Sequence, residues 1–203
     1  MLAEKKTKTT KTKKEESQDY VMDGPGTYLR ESGVIMLTSS FTKSSIMPLC
    51  AQVFEYNIMP EEVKPTHITL IINSPGGELS SAFHLIDLIK SSEIPVHTIG
   101  FGTVASAGLM VLMAGKEGER TCTHNTIMMS HQYSGGISGK EHELVGSFKN
   151  FEMVSDMVLE HYVKCTGLKE QTILDHLLGP TDNYLTPDEA IKFNIVDQVW
   201  ETY

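Results

Sequence analysis

The feature that most constrains this chain is a short, nearly continuous apolar run, His67-Ile68-Thr69-Leu70-Ile71-Ile72-Asn73, stopped abruptly by Ser74-Pro75-Gly76-Gly77. So short a run of unbroken apolarity is the pattern of a strand covered on both faces, as in a parallel sheet. Parallel strands need long crossovers, usually helices, and the chain supplies them. After a first strand at Gly33 to Thr38, Ser44 to Asn57 reads as a helix through Leu49, Val53 and Phe54. Glu78 to Ser91 reads as another, through Leu79, Ala82, Phe83, Ile86 and Ile89. A strand at Pro95 to Gly100 leads into a glycine turn and the apolar stretch Leu109 to Met113. The repeat of strand, glycine turn and helix predicts an α/β layered fold.

Downstream, Arg120 to Cys122 and Thr126 to Ser130 are strand candidates. The longest helical pattern runs from Gly139 to Tyr162, with Leu144, Phe148, Phe151, Val154, Val158 and Tyr162 three or four residues apart. It is predicted either to project with its apolar seam against a partner subunit or to pack wholly on its own core. A short helix at Leu168 to Leu177 and a loop from Gly179 to Leu185 follow. Thr186-Pro187-Asp188-Glu189-Ala190 then has the N-cap, the proline and the acids of a helix start. Val196 to Val199 closes as a strand.

The 203 residues, 40% hydrophobic and 21% charged, suit one soluble domain with a short appendage. No apolar run approaches the roughly 18 residues of a membrane span, so no membrane partner is expected. Residues 1–16 hold six lysines and three glutamates, a solvated tail with no secretory apolar core. The domain boundary is placed there: 1–26 as a lysine-rich tail, 27–203 as the folded unit. The remainder carries 11 basic and 23 acidic residues, which argues against nucleic acid as a partner. Cys50, Cys122 and Cys165, odd in number and far apart, suggest neither disulfides nor a metal site; they read as reduced thiols in a cytoplasmic setting.

Gly102-Thr103-Val104-Ala105-Ser106-Ala107-Gly108 places a serine among small residues where a strand gives way to a helix. That arrangement is either a tight connection or a means of pushing a hydroxyl into a site, with small neighbours leaving room for an extended substrate. A nucleophilic serine needs a base and oxyanion donors. Of eight histidines, His131 stands at a strand end facing a loop, where α/β folds build sites. His84, His142, His161 and His176 lie on helical stretches and read as partly exposed or capping. Asp182 suits the residue that orients the base, or equally a turn former. Gly76-Gly77 offers unobstructed amides, and Ala107 another at a helix start.

These residues carry a resemblance. Asn73-Ser74-Pro75-Gly76-Gly77, Gly102-x-Val-Ala-Ser106-Ala-Gly108, Met128-Met129-Ser130-His131-Gln132 and Thr181-Asp182-Asn183-Tyr184-Leu185-Thr186-x-x-Glu189-Ala190 occur in the order found in the proteolytic subunit of the Clp protease. Asn194-Ile195-Val196-Asp197 fits as well, and the likeness covers roughly residues 30 to 200. It implies a crotonase-like spiral of strand-strand-helix units with a projecting handle helix. It also implies Ser106 as nucleophile, His131 as base, Asp182 as its orienting partner, and the Gly77 and Ala107 amides as oxyanion hole. Tyr133, Ser134, Gly135 and Gly136 then belong to the segment that pairs with substrate backbone. The implied assembly is two stacked heptamers of the chain itself. They would enclose the sites from all but unfolded proteins and short peptides, with no metal or cofactor and with ATP used only by a partner AAA+ unfoldase.

Several positions depart from that family. The tyrosines and phenylalanine that help form its ATPase-docking pocket are matched by Thr69, Ile71 and Thr121. The proline after the His-Gln pair is Tyr133, and the arginine before the orienting aspartate is Thr181. The expectation is a divergent serine endopeptidase. A catalytically idle subunit of a mixed ring, a phage maturation protease of the same fold and an acyl-CoA enzyme of the crotonase fold are the alternatives.

Overall fold

The computed structural model describes residues 25–200 apart from residue 137. Most of the segment read as a lysine-rich tail, up to residue 24, lies outside the described residues. The first helix, α1 (Pro25–Glu31), precedes the elements expected from the sequence; a proline is well placed at a first helical position. The Tyr56 hydroxyl, donating to the Arg30 carbonyl at 2.8 Å, and an Arg30–Glu55 ion pair moor it.

Strand and helix then alternate through β1 (Val34–Leu37), α2 (Lys43–Ile58), β2 (Ile68–Ser74), α3 (Leu79–Ser91), β3 (Val96–Ala105), α4 (Ala107–Met113) and β4 (Arg120–Thr123). There follow β5 (Ile127–Ser130), α5 (Glu141–Thr166), α6 (Glu170–His176), β6 (Asn183–Leu185), α7 (Pro187–Lys192) and β7 (Gln198–Trp200). The parallel order is β1-β2-β3-β4-β7; β5 runs parallel to β3, and β6 antiparallel to β5. The α/β layering expected from the alternation is therefore present, with corrections in detail.

One correction concerns β2. Ile68, Leu70 and Ile72 are fully buried, whereas Thr69 and Ile71 are half-buried and Asn73 is exposed. One face carries the core; the other, with Met36 and Trp200 each about half exposed, is open in the protomer. In α2 the buried stripe is Ile46, Cys50, Val53 and Tyr56, and Phe54 faces solvent.

A second correction concerns the glycine turn before the serine. β3 does not end at Gly100 but runs on to Ala105, bending at Gly102, where φ is +60°. Below the bend β3 pairs with β4 (Thr98–Gly100), and above it with β5 (Thr103–Ala105). The sheet thus branches, and the Asn73 side-chain carbonyl, accepting from the Thr103 amide at 3.2 Å, holds the bend.

α5 spans about 39 Å at 1.5 Å per residue, and of its 26 residues only Val158, His161, Tyr162 and Thr166 are buried. Leu144, Val145, Phe148, Met153 and Met157 are exposed. Of the two alternatives for this helix, projection is the one the structure takes. Only its last third packs on the core, ending at Gly167 with φ +70°. The Thr186 cap forms as its sequence predicts. Its hydroxyl accepts from the Glu189 amide at 3.3 Å, and the Glu189 carboxylate accepts from the Thr186 amide at 2.9 Å.

A buried ion pair closes the far edge. Asp197 receives Arg120 Nη2 at 2.6 Å and Nε at 2.9 Å, while Arg120 Nη1 donates to the Cys165 carbonyl at 2.8 Å. β4, the approach to β7 and the end of α5 are tied together there.

Candidate functional site

Ser106 is the single residue between β3 and α4, with φ 54° and ψ −122°. A side chain rarely adopts such a backbone, and holding it there costs about 1–3 kcal/mol that the surroundings must supply. They do so from two sides. The Ser106 amide donates to the Met129 carbonyl of β5 at 2.9 Å, and all seven residues of α4 are buried. The small neighbours serve a purpose the sequence did not suggest: they admit another loop. A Cβ on Gly108 would lie 3.0 Å from the Ser74 carbonyl, and one on Gly76 would lie 2.7 Å from the Ser106 Cβ. The Ser74–Gly77 turn is packed directly on the serine.

β5 ends at Ser130, so His131 emerges beside Ser106, whose Oγ lies 2.7 Å from its Nε2. Ser130 pairs with Asn183 in the antiparallel β5–β6 ladder, and one step further along it His131 faces Asp182. The Asp182 carboxylate is 3.9 Å from His131 Nδ1, and its side chain is 55% exposed. That distance lies beyond hydrogen-bond reach, so the two groups face each other without a directed bond. Serine, imidazole and carboxylate are collected from three points that lie 76 residues apart end to end.

The amides expected to face a developing oxyanion are also near. Gly76 and Gly77 both have positive φ, 96° and 144°. The Gly76 carbonyl accepts from the Phe41 amide at 2.8 Å and the Glu78 amide donates to the Phe41 carbonyl at 2.9 Å, so the turn is stitched to the chain before α2. The Gly76 amide is consumed by Ser74 Oγ at 3.2 Å. The Gly77 amide and that of Ala107, first in α4, are left without a protein acceptor among the described residues.

A hollow of about 60 Å³ adjoins Ser106, His131 and Gly77, with Leu79, Met110, Val158 and Tyr162 as its apolar wall. Tyr133 and Ser134 line it too, whereas Gly135 and Gly136 face a second hollow against α5. The segment they form was expected to pair with substrate backbone; it has no strand partner among the described residues. A strand needs a neighbour for its amides, and the described residues offer none here.

Some residues of the site carry no signal of their own in the sequence. Ser74, fully buried, donates to the Ser39 carbonyl at 2.6 Å and fixes the turn that presents Gly77. Tyr162 floors the hollow, its hydroxyl 2.8 Å from Ser130 Oγ, and burial pushes its phenol up to about 12. His161 was expected to be partly exposed or capping and is instead buried. Its Nε2 donates to the Met110 carbonyl at 2.9 Å, and burial pushes its imidazole down to about 4. The signal available was its place in the seam, next to Tyr162. His84, His142 and His176 are exposed, as their helical positions suggested. Cys50, Cys122 and Cys165 are free thiols. No helix among the described residues is long and apolar enough to cross a membrane.

Fold and site together define an α/β protein with a serine, an imidazole and a carboxylate converging at the ends of its strands. The Clp protease family model matches residues 14–203, and the chain belongs to that family. A similar curated protein is the ATP-dependent Clp protease proteolytic subunit of Deinococcus radiodurans, 33% identical over 132 residues. That match covers 65% of this chain and 64% of the relative's length. The parallel-rich α/β fold is the family's own.

Proposed function

We propose that this chain is a serine endopeptidase that hydrolyses peptide bonds of unfolded proteins or short peptides. The observation that carries the proposal is the 2.7 Å contact between His131 Nε2 and Ser106 Oγ at a strained strand-to-helix junction. Ser106 Oγ attacks the substrate carbonyl as Nε2 takes its proton, and the tetrahedral oxyanion is met by the amides of Gly77 and Ala107. The leaving amine departs with the proton held by His131. Water, deprotonated by the same imidazole, then hydrolyses the acyl-enzyme, and Asp182 balances the imidazolium charge at each stage. Such chemistry needs no metal or cofactor.

An extended peptide fits beside Tyr133, Ser134, Gly135 and Gly136, where the backbone has no strand partner among the described residues. The projecting, apolar half of α5 and the open sheet face suit self-assembly, which we read as two stacked heptameric rings in the cytoplasm. ATP would enter only through a AAA+ unfoldase, with a docking surface altered at Thr69, Ile71 and Thr121.

The test is labelling of the assembled protein with a fluorophosphonate, with the modified residue located by mass spectrometry and the subunits counted by native mass spectrometry. A Ser106 adduct, lost in Ser106→Ala and suppressed in His131→Ala, is the expected result. An assembled protein that takes no label would instead be the idle subunit of a mixed ring.

A further inference from the structure

Two hollows flank the segment that follows His131. The smaller, about 60 Å³, contains Ser106 and is backed by Met110, Val158 and Tyr162. The larger, about 540 Å³, runs between Gly135-Gly136 and the exposed half of α5 at Gly146, Asn150 and Phe151. Tyr133 is the one residue, among the described residues, that lines both. Its ring lies against that of Phe151, with centroids 4.7 Å apart and planes inclined by 33°, within the range of attractive aromatic pairs. Gly135 lies beside the pair: a Cβ there would sit 3.4 Å from the Tyr133 hydroxyl and 3.7 Å from the Phe151 ring, at ordinary van der Waals distance. Half-buried Tyr133, its ring resting on Phe151 of α5, therefore stands where the two hollows adjoin.

We propose that Tyr133 is a specificity-determining wall. By dividing the two hollows it confines Ser106 to substrates whose residue at the scissile carbonyl has a small or medium apolar side chain. Removing the ring joins the hollows and lets a bulky aromatic side chain reach along α5. The proposal deepens the peptidase reading and rests on it.

The test uses the assembled protein and peptide–aminocoumarin substrates that differ only in the residue before the cleaved bond: Ala, Leu, Phe and Trp. The readout is the Trp-to-Leu ratio of kcat/KM within each variant, so that a loss common to all substrates cancels. In Tyr133→Ala the ratio should rise by about tenfold or more, as apolar pockets discriminate by that factor over a single methylene. Tyr133→Phe keeps the ring and with it the wild-type ratio. Phe151→Ala frees the ring from outside the Ser106 hollow. It should raise the ratio as well, and it serves if Tyr133→Ala fails to assemble. An active, fluorophosphonate-labelled protein whose ratio stays put in both alanine variants overturns the wall and leaves the peptidase standing. Wild-type protein that neither labels nor cleaves overturns both.

Discussion

His161 makes acid sensitivity a sharp consequence of this structure. Its ring is buried between Phe83 and Tyr162, edge-on to each, with Nε2 committed to the Met110 carbonyl. Burial is the largest influence on its charge, and Lys90 and Lys164 push in the same direction; the Met110 hydrogen bond and Asp87 oppose them without reversing the outcome. The folded imidazole is pushed from 6.5 down to about 4. A histidine with a lowered folded value stays neutral in the native state while the unfolded chain takes up a proton. Its contribution is fully present above pH 6.5 and is lost as pH falls toward 4. At about 1.4 kcal/mol per pH unit, the loss across that window is roughly 3 kcal/mol, a sizeable share of the 5–15 kcal/mol that holds a typical domain. His161→Gln retains a side-chain N–H for the Met110 carbonyl and removes the titration. Urea unfolding at fixed protein concentration, at pH 7, 6, 5 and 4.5, should show wild type losing more stability than the variant, with the gap opening below pH 6.5. Carboxylates that titrate over the same range are common to both proteins and cancel. Parallel pH curves for the two would falsify the reasoning.

Three further outcomes follow from particular contacts. Ser74→Ala removes the hydroxyl that joins the Ser39 carbonyl to the Gly76 amide, so steady-state peptide hydrolysis should lose about tenfold in kcat with little change in KM. That split marks a loss felt in the transition state. Asp182→Asn should cost about 10–100-fold in kcat, well short of the roughly 10⁴ seen when the carboxylate is buried and hydrogen-bonded to the base. The reason is that Asp182 is 3.9 Å from His131 and 55% exposed; a loss of 10⁴ would refute this reading. Asp197→Asn strands Arg120, which is 4% exposed, and should destabilise by about 3–5 kcal/mol in urea titrations. A loss below 1 kcal/mol would show that solvent reaches the guanidinium.

Much of this arrangement is legible one residue type at a time. The strand at Ile68–Ser74, the helix at Leu79–Ser91 and the capped start at Thr186 follow from apolar runs and cap chemistry that act over a few residues. Ser106, His131 and Asp182 were picked out by chemistry and by a resemblance whose motifs are local. What escaped the sequence depends on contacts between distant segments. Ser74 looks like any turn serine until Ser39 and Gly76 close around it. His161 shares the apolar seam of its helix, but the seam's first half is exposed, and only the docking of the last third of α5 decides that His161 is buried. Leu144 and Phe148 have core spacing yet no core beneath them.

The sequence by itself determined the kind and order of most elements, though not α1 or the short β6 inside the expected loop, and which side chains have the chemistry of a nucleophile, a base and a carboxylate. Local backbone preference and apolar periodicity are short-range, and each stretch carries its own. The tertiary structure alone decided that these groups meet. The bend of β3 at Gly102 hands its upper half to β5, and the β5–β6 register sets His131 opposite Asp182. Strand pairing links residues far apart along the chain, and a shift of one residue would turn His131 to the other face of the sheet.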